Sequence, residues 1–577
     1  MPLVTSSTHP RWWERSPAHV ALLLCVFFGG IAPTLPWLEF AGGMENVTVA
    51  TAQEIVLKGD ADTWALPTLN DEPRTRKPPL VHWITALGIQ SSDCLAWGAR
   101  WPGLLAACLT LAAVYALGRV VGGWRMGLIA AMICGSTLLF LRYARQAQYD
   151  VHLSLWVVLT NLALARIVLD GKWLGPCAMG GVCLGLALMS KGPPALVQTL
   201  VPVACFSAWR RWCGGQDVRP ADPTPARRRL AAILLGVGLM LLVTLPWVVY
   251  AASRPRTGGF AGLIKLWMSE STLQPEAAYE KRSKPLDYLA MVPLLFPWFV
   301  WFFIGLWFLW RERRTQEGRR RMLLVFLLLA PLLIMSFFAV RRDRYTLPML
   351  GPAAIIAARG VMEHLARWHA KWDLGGRAAI VGHWLIVGVL AIGFPLWGAW
   401  KLTTVEGTAW FTPPQAMGMA GAMGAVVLLG AILHARWRGG LVAATVAVML
   451  MWQAAFVWGY KDSLSGRSSR RLAEAILASP YRDAPVINGH PTGKSAPIEM
   501  TIYLARPIRW KRPSAIRAGD RPQVVLLNDL KSVAKLPPGT TLIASDLQES
   551  GRWYAYAVPP RPRGRATRPT TLPATRL

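Results

Sequence analysis

Long apolar runs alternate with short charged segments over most of this chain. A membrane-spanning helix needs about 20 mostly apolar residues. Thirteen segments meet that pattern, at roughly residues 18–38, 97–118, 124–142, 150–169, 174–190, 194–209, 229–252, 286–310, 322–340, 346–365, 378–401, 414–434 and 439–459. The sequence therefore predicts a mainly α, polytopic membrane protein with about 13 transmembrane helices, and residues 1–459 form its transmembrane domain.

A polar stretch at residues 39–95 separates the first two apolar segments and is longer than most other interruptions. Within it, residues 44–58 show the apolar spacing of a short helix lying on a surface, ended by Gly59. A turn is predicted at 69–73, and a second short helix at 80–89 follows Pro78-Pro79. Carboxylates and a basic cluster at a bilayer surface suit chemistry on a charged lipid headgroup. We therefore interpret residues 39–95 as the catalytic loop.

The hydrophobic pattern changes after Tyr460. Residues 460–558 alternate short apolar runs with polar turns, which predicts a small α/β domain. The pattern favours a helix at 472–479 and strands at 485–488, 500–504, 524–527, 541–544 and 553–558. Residues 559–577 repeat Arg and Pro, as is typical of a disordered basic tail.

The net charge of +31 on 577 residues at first favours a nucleic-acid partner. Its distribution argues against one. If the N-terminus is cytosolic, the most basic loops all fall inside, as the positive-inside rule predicts; they are 119–125, 210–229, 311–321, 367–377 and 436–438. This orientation places the 39–95 loop and the C-terminal domain on the extracytoplasmic side of the plasma membrane, the inner membrane in a bacterium. The first segment is interpreted as a retained anchor, because no small-residue cleavage site follows it.

Several short motifs occur in a recognisable order along the outer loops. The first loop contains Met44-Glu45, Gln53-Glu54, Gly59-Asp60, Trp64, Pro67–Asn70, Lys77-Pro78-Pro79 and Trp83. Later segments add Ala99–Gly103, Tyr143–Gln146 with Asp150, Ser190–Pro193 and Arg342–Pro348. This order resembles the dolichyl-phosphate-mannose protein mannosyltransferase and aminoarabinose transferase group, membrane glycosyltransferases of the C-type fold. The resemblance covers roughly residues 18–360.

The resemblance implies transfer of a sugar from a polyprenyl phosphate to a lipid, glycan or protein acceptor on the outer face, among membrane lipids. In the family an acidic pair opens the first loop and its leading Asp is catalytic, whereas Met44 stands at that position here. Arg76 replaces an acidic residue that precedes the Lys-Pro in aminoarabinose enzymes, which argues against a metal-linked site. The eight Cys and nine His show no metal spacing, so no metal ligand is predicted, and a divalent cation stays open as a cofactor.

Two carboxylates are the candidate catalytic residues. Glu45 is the predicted general base, because a carboxylate near apolar surface has its pKa raised towards the useful range. Asp150, at the start of the fourth span, matches the second acid of the family. Its alternative role is an ordinary N-cap of that span.

Cations on the outer face are informative because membrane orientation alone disfavours them there. Lys77 and Arg76 suit the donor phosphate, whose charge increases as it departs. Further candidates for phosphate, headgroup or sugar binding are Arg142, Arg145, Lys191, Arg342, Arg344 and Tyr345. Anchoring to anionic lipid is the alternative role for the cations, and a place in the aromatic belt is the alternative for Tyr345.

Two other classes of protein compete with a glycosyltransferase. A transporter or lipid flippase would suit thirteen spans, but it should carry charged residues in mid-span near broken helices. The spans here are almost free of charge. A non-catalytic subunit of envelope assembly is the third class, and Met44 in place of the expected acid favours it.

Overall fold

The computed structural model describes residues 16–40, 43–213, 224–272, 295–337, 342–367, 374–404, 412–437, 439–465, 469–491, 498–548 and 551–561. The chain divides into two compact units, Met1–Leu464 and Ser465–Leu577. The described residues of the first unit form helices, the segments that connect them and one small hairpin. The predicted tail at 559–577 lies outside the described residues after position 561.

Helices of the first unit follow the apolar pattern closely. Their bounds are α1 Ser16–Ile31, α2 Gly43–Lys58, α3 Ala61–Ala65, α4 Leu80–Gln90, α5 Leu95–Gly122, α6 Trp124–Gly135, α7 Leu138–Tyr143, α8 Tyr149–Asp170, α9 Leu174–Lys191, α10 Pro194–Cys213, α11 Ala226–Ala252, α12 Gly259–Thr272, α13 Phe299–Glu312, α14 Gln316–Met335, α15 Leu350–Ala366, α16 Leu374–Thr404, α17 Pro413–Arg436 and α18 Gly440–Ser465. Each predicted apolar segment contains a helix. Eight helical segments among the described residues are long and apolar enough to cross a membrane. The polytopic helical class is thus confirmed, and the count of thirteen spans stays a prediction.

Close helix contacts in this unit depend on small residues. A Cβ added to Gly305 of α13 would collide with the backbone carbonyl of Ile356 in α15, and one added to Gly181 of α9 would collide with Gly236 of α11. Glycine lets two backbones approach where lipid supplies no hydrophobic drive for helix association. These contacts fix α9, whose last residue belongs to the site described below, and α15, which directly follows a second segment of that site.

The first outer loop folds into two packed helices and a hairpin. The predicted helices at 44–58 and 80–89 are α2 and α4. However, α2 does not lie on a surface: most of its residues from Glu45 to Ile55 are buried, and Ala52 and Ile55 pack against Ala86 of α4. The prediction of a surface helix is wrong because both faces of α2 contact protein.

The predicted turn at 69–73 is a hairpin of β1 Thr68–Leu69 and β2 Glu72–Pro73. Asn70 and Asp71 have φ of 56° and 67°, the left-handed conformation that two-residue hairpin loops favour. The buried carboxylate of Glu54 accepts the backbone N–H groups of both residues, at 2.8 and 3.0 Å. The hairpin is therefore fixed to α2.

The second unit is a mixed sheet with two helices. Its strands β3 Val486–Asn488, β4 Ile508–Trp510, β5 Gln523–Leu527, β6 Thr541–Gln548 and β7 Gly551–Val558 lie in the order β4-β3-β5-β7-β6. β3 runs parallel to β4 and β5, and β7 is antiparallel to β5 and β6. The predicted helix at 472–479 is α19 Arg470–Ala478.

One strand prediction in the second unit is wrong. Residues 500–504 lie in helix α20 Ile498–Leu504, and the strand that follows it, β4, was not predicted. Parallel strands need a crossover connection, and α20 lies on the connection from β3 to β4. Its buried Met500 and Leu504 join the same core as Ile476 of α19. The topology overrides a local pattern that also suits a strand.

Candidate active site

An acid–base pair lies where α8 begins and α9 ends. Asp150 is in the first turn of α8 and is 2% exposed. Lys191 is the last residue of α9, which ends at Gly192 with a φ of 81°. The Lys191 ammonium donates a hydrogen bond to Asp150 Oδ1. The positive end of the α8 dipole also favours a carboxylate at this position.

A short 3-10 helix, Asp343–Met349, supplies the third side of this site. Arg344 Nε lies 3.6 Å from Asp150 Oδ2, an ionic contact longer than a hydrogen bond. The Lys191 ammonium lies 4.1 Å from the centre of the Tyr345 ring, which is cation–π distance. Gln198 of α10 donates to the Tyr345 carbonyl at 3.1 Å and so fixes the backbone of Tyr345.

Lys77 completes the cluster from the first loop. Its positive charge and that of Arg344 both act on Lys191. Pro79 follows two residues later as the N-cap of α4, and Trp267 of α12 donates its indole N–H to the Thr75 carbonyl at 3.1 Å. We call Lys77, Asp150, Lys191, Arg344 and Tyr345 the cationic cluster. Of these five side chains, Asp150 is a carboxylate and Lys77, Lys191 and Arg344 are cations.

Glu45 belongs to a different arrangement. It lies in the first turn of α2 and is 7% exposed. Arg100 of α5 binds it with both ends of its guanidinium, Nε to Oε1 at 2.8 Å and Nη2 to Oε2 at 3.1 Å. The Ala147 N–H donates to Oε1 as well, at 3.0 Å. A general base must accept a proton from the substrate, and both oxygens of Glu45 already accept strong bonds. This geometry favours a supporting role for Glu45, and its assignment as the base stays a prediction.

Arg100 is the residue that sequence reasoning missed. It is 2% exposed, donates to the carbonyls of Leu35 and Leu38 at 2.7 and 2.6 Å, and lies over the Phe40 ring at 4.7 Å. One signal was available. An arginine inside an apolar span is costly and implies a specific partner. The motif Ala99–Gly103 was noted, yet no role was assigned to its arginine.

Arg145 is buried next to this pair. It is 5% exposed, and Nε donates to the Leu141 carbonyl at 3.3 Å. Burial, and then the positive charge of Arg100, lower the pKa of Arg145 to about 9, against the opposing effect of Glu45. Within the described residues its Nη1 atom has no hydrogen-bond partner. Arg145 therefore packs beside Glu45 and Arg100 and is not part of the cationic cluster.

The remaining predicted cations lie nearer the surface. Arg142 donates to Asp343 Oδ2 at 3.0 Å, and Tyr143 donates to Oδ1 of the same carboxylate at 2.7 Å. These bonds attach α7 to the 3-10 helix. Arg76 and Arg342 are exposed. The structure thus brings together five of the ten predicted site residues and separates Glu45 and Arg145 from them.

Two contacts link the buried pair to the cationic cluster. Ala147, which binds Glu45, lies three residues before Asp150. Tyr149 donates or accepts a 2.7 Å hydrogen bond with His82 Nε2 of α4. Burial, and then the charge of Arg74, lower the pKa of His82 to about 3, so its imidazole is neutral. Residues 147–149 are therefore bonded to both α2 and α4, the two longer helices of the first outer loop. Among the residues that the structure describes, no three His, Cys, Asp or Glu side chains are grouped to hold a metal ion.

Comparisons with known proteins identify the fold. Residues 76–215 match the family model described as dolichyl-phosphate-mannose-protein mannosyltransferase. The structure of ArnT from Cupriavidus metallidurans bound to undecaprenyl phosphate superposes with a TM-score of 0.73 at 16% identity, over 94% of this chain and 97% of that one. The Archaeoglobus fulgidus oligosaccharyltransferase gives 0.52 at 10% identity, over 88% and 66%. The chain therefore has the C-type glycosyltransferase fold.

The curated proteins that match this sequence are aminoarabinose transferases. An undecaprenyl phosphate-4-amino-4-deoxy-L-arabinose arabinosyl transferase of Pseudomonas fluorescens is 26% identical over 54% of this chain and 52% of its own length. Its counterpart in Proteus mirabilis is 24% identical over 62% and 64%. The chain thus spans about half to two thirds of the length of the relatives it matches. The resemblance to the aminoarabinose transferase group, predicted from the motifs, is confirmed.

Proposed function

We propose that this protein transfers a sugar from a polyprenyl-phosphate donor to an acceptor on the extracytoplasmic face of the membrane. The observation that carries the proposal is the cationic cluster in a chain with the C-type glycosyltransferase fold. In this cluster Lys191 and Arg344 contact the buried Asp150 carboxylate, and the charge of Lys77 acts on Lys191. The positive-inside pattern supports the outer position of this site and of the C-terminal domain.

Lys77, Lys191 and Arg344 are the proposed ligands of the donor phosphate. A sugar linked to a polyprenyl phosphate carries one negative charge, and the phosphate gains a second when the sugar leaves. Preorganised cations at the position where charge develops lower the barrier most. Tyr345 holds the Lys191 ammonium by its ring face and offers a flat surface to sugar or lipid.

Asp150 replaces Glu45 as the proposed base. Within the described part of the chain, its Oδ2 atom makes the 3.6 Å ionic contact with Arg344 and no hydrogen bond, whereas Oδ1 is bonded to Lys191. In the proposed step Asp150 accepts the acceptor's proton while the acceptor oxygen bonds to the anomeric carbon. The bond between that carbon and the phosphate oxygen breaks, and its electron pair stays on the phosphate. Glu45 and Arg100 position the chain before Asp150 and take no part in the proton transfer.

Relatives guide the choice of substrate. The curated relatives are named as transferases of 4-amino-4-deoxy-L-arabinose from undecaprenyl phosphate. We propose an undecaprenyl-phosphate sugar as the donor class, and 4-amino-4-deoxy-L-arabinose is the first sugar to test. A lipid, a glycan and a protein remain the candidate acceptors.

Mass spectrometry of envelope lipids, glycans and proteins, with and without the chain, tests the proposal. The expected result is one sugar-bearing species that disappears with the chain and returns with the wild-type protein but not with Asp150→Asn. If no glycoconjugate changes, the transferase proposal is refuted. Restoration of the species by Asp150→Asn would remove Asp150 from the proposed chemistry.

A further inference from the structure

A second polar site lies in the helical unit, far along the bundle from the cationic cluster. A cavity of about 670 Å³ opens between α15, α16 and α17, and its lining includes His364, Trp384 and His434. His364 lies fourteen positions after Leu350, the first residue of α15, which corresponds to about 21 Å of helix. The cluster residues Arg344 and Tyr345 precede that helix. The two sites therefore lie at opposite ends of α15.

Three side chains that line this cavity, Trp384, His434 and His364, are joined by hydrogen bonds that run in one direction from donor to acceptor. The Trp384 indole N–H, which is only a donor, points to His434 Nδ1 at 3.0 Å. A neutral His434 then carries its proton on Nε2 and donates it to His364 Nε2, 2.8 Å away. The two imidazoles are 1% and 4% exposed. Polar groups inside membrane helices are expensive and mark functional positions.

The walls of the cavity are apolar and open outwards. Val381 and Leu385 of α16 are 57% and 62% exposed. The opposite wall is formed by the small side chains of Ala431 and Ala435 of α17. A side that is apolar and open in a membrane-spanning bundle faces acyl chains. The volume lies in the range of pockets that hold small ligands. We call this cavity the α15–α17 groove.

The rim of the groove is basic. Arg377 lies three and four positions before Ile380 and Val381, which places it on the same face of α16. Arg436 is the last residue of α17 and follows Ala435. Both arginines are exposed, and within the described residues neither is paired with a carboxylate. By contrast, Arg367 at the end of α15 is bound to Glu363 at 2.6 Å. Glu363 is also bound by Arg359, so its charge is compensated.

We propose that the α15–α17 groove binds an anionic phospholipid, with its phosphate at Arg377 and Arg436 and an acyl chain over Val381 and Leu385. Charge complementarity selects this occupant. The basic end of these helices is the end that the positive-inside pattern predicts to be cytosolic, where anionic lipids are enriched in the leaflet. Basic pockets between membrane helices on that side bind lipid headgroups. This site is separate from the proposed donor site.

Native mass spectrometry of the purified full-length chain tests the proposal, with dioleoyl phosphatidylglycerol as the anionic probe and dioleoyl phosphatidylcholine as the neutral one. The wild-type chain should retain the anionic lipid more strongly. Arg377→Gln and Arg436→Gln should each reduce its retention about fivefold and leave the neutral lipid unchanged. Ala431→Phe should fill the groove and weaken retention of both lipids.

Arg228→Gln is the matched control, because Arg228 is an exposed arginine near the start of α11 on the same predicted side. It should leave both lipids bound as in the wild type. Equal retention of the two lipids by the wild-type chain would overturn the proposal, as would an equal loss of the anionic lipid in the control. A dimer that Ala431→Phe dissociates, with lipid retention unchanged, would assign the groove to a second copy. Full displacement of the lipid by inorganic phosphate would show that the α15–α17 groove binds anions in general and not a phospholipid.

Discussion

Two buried acid–base pairs, one at Glu45 and one at Asp150, are linked through residues 147–150 but differ in how many hydrogen bonds each carboxylate accepts. Glu45 receives both ends of the Arg100 guanidinium and a backbone N–H. Asp150 has one hydrogen bond to Lys191 and a longer contact with Arg344. A fully bonded carboxylate stabilises structure, whereas one with a single hydrogen bond can exchange partners. The difference supports our proposal that Glu45 has a supporting role and that Asp150 takes part in the chemistry.

Asp150→Asn should have the largest effect on turnover. Without the carboxylate the acceptor's proton has no base, and sugar transfer should fall about 10²- to 10⁴-fold. The measurement is single-turnover transfer from an undecaprenyl-phosphate sugar by the reconstituted protein. Asp170→Asn is the matched control, since Asp170 ends the same helix and is paired with Arg320 at 2.8 Å. Near-normal transfer by Asp150→Asn would remove Asp150 from the proposed chemistry.

Arg100→Gln should have the largest effect on stability. It leaves Glu45 buried without its cation, and loss of one partner of a buried ion pair costs about 3–5 kcal/mol. The thermal midpoint in detergent reports this loss. Arg320→Gln, which breaks a half-exposed pair, should cost less than about 1 kcal/mol. A midpoint for Arg100→Gln equal to that of the control would contradict the supporting role.

Glu45→Gln distinguishes the two carboxylates directly. Its amide oxygen still accepts one bond from Arg100, so transfer should fall less than about tenfold, together with a lower thermal midpoint. If transfer instead falls about 10³-fold at an unchanged midpoint, Glu45 is the base after all.

Lys191→Gln should act on donor binding. Loss of one charged hydrogen bond to the phosphate should raise the donor KM about 10- to 100-fold. Arg254→Gln is the control, because Arg254 forms an exposed pair with Asp62 outside the cluster. An unchanged donor KM for Lys191→Gln would indicate that Lys191 only holds Asp150 in place.

Glu54→Gln should have the smallest effect. It replaces an acceptor of the Asn70 and Asp71 N–H groups, and the expected loss is about 1–2 kcal/mol. Hydrogen exchange should become faster at these two amides while the cationic cluster keeps its donor KM. Unchanged exchange would show that the hairpin holds its turn without Glu54.

Much of the site was accessible from the sequence. Lys77, Asp150, Lys191, Arg344 and Tyr345 were predicted because charged side chains next to apolar spans are conspicuous and their order resembles a known group. Glu45 was also predicted, but its ion pair with Arg100, which favours a supporting role over that of the base, was not. Sequence does not show that a carboxylate at the start of α2 meets an arginine of α5, 55 positions later.

Two short segments in the second unit also show that a local pattern does not by itself determine the structure. Residues 524–527 were predicted as a strand and lie in β5, since an apolar run in the centre of a sheet has few alternatives. Residues 500–504 carry a similar pattern but form α20, because the parallel pairing of β3 with β4 requires a crossover.

The sequence by itself determined the membrane class, the placement of the helices, the predicted orientation and the residue types at the candidate site. These properties depend on composition and on local periodicity, which each segment carries within itself. The tertiary structure alone decided which carboxylate is saturated by Arg100 and which faces the cations. Hydrogen-bond partners far apart along the chain are set by how helices pack, and no local pattern records them.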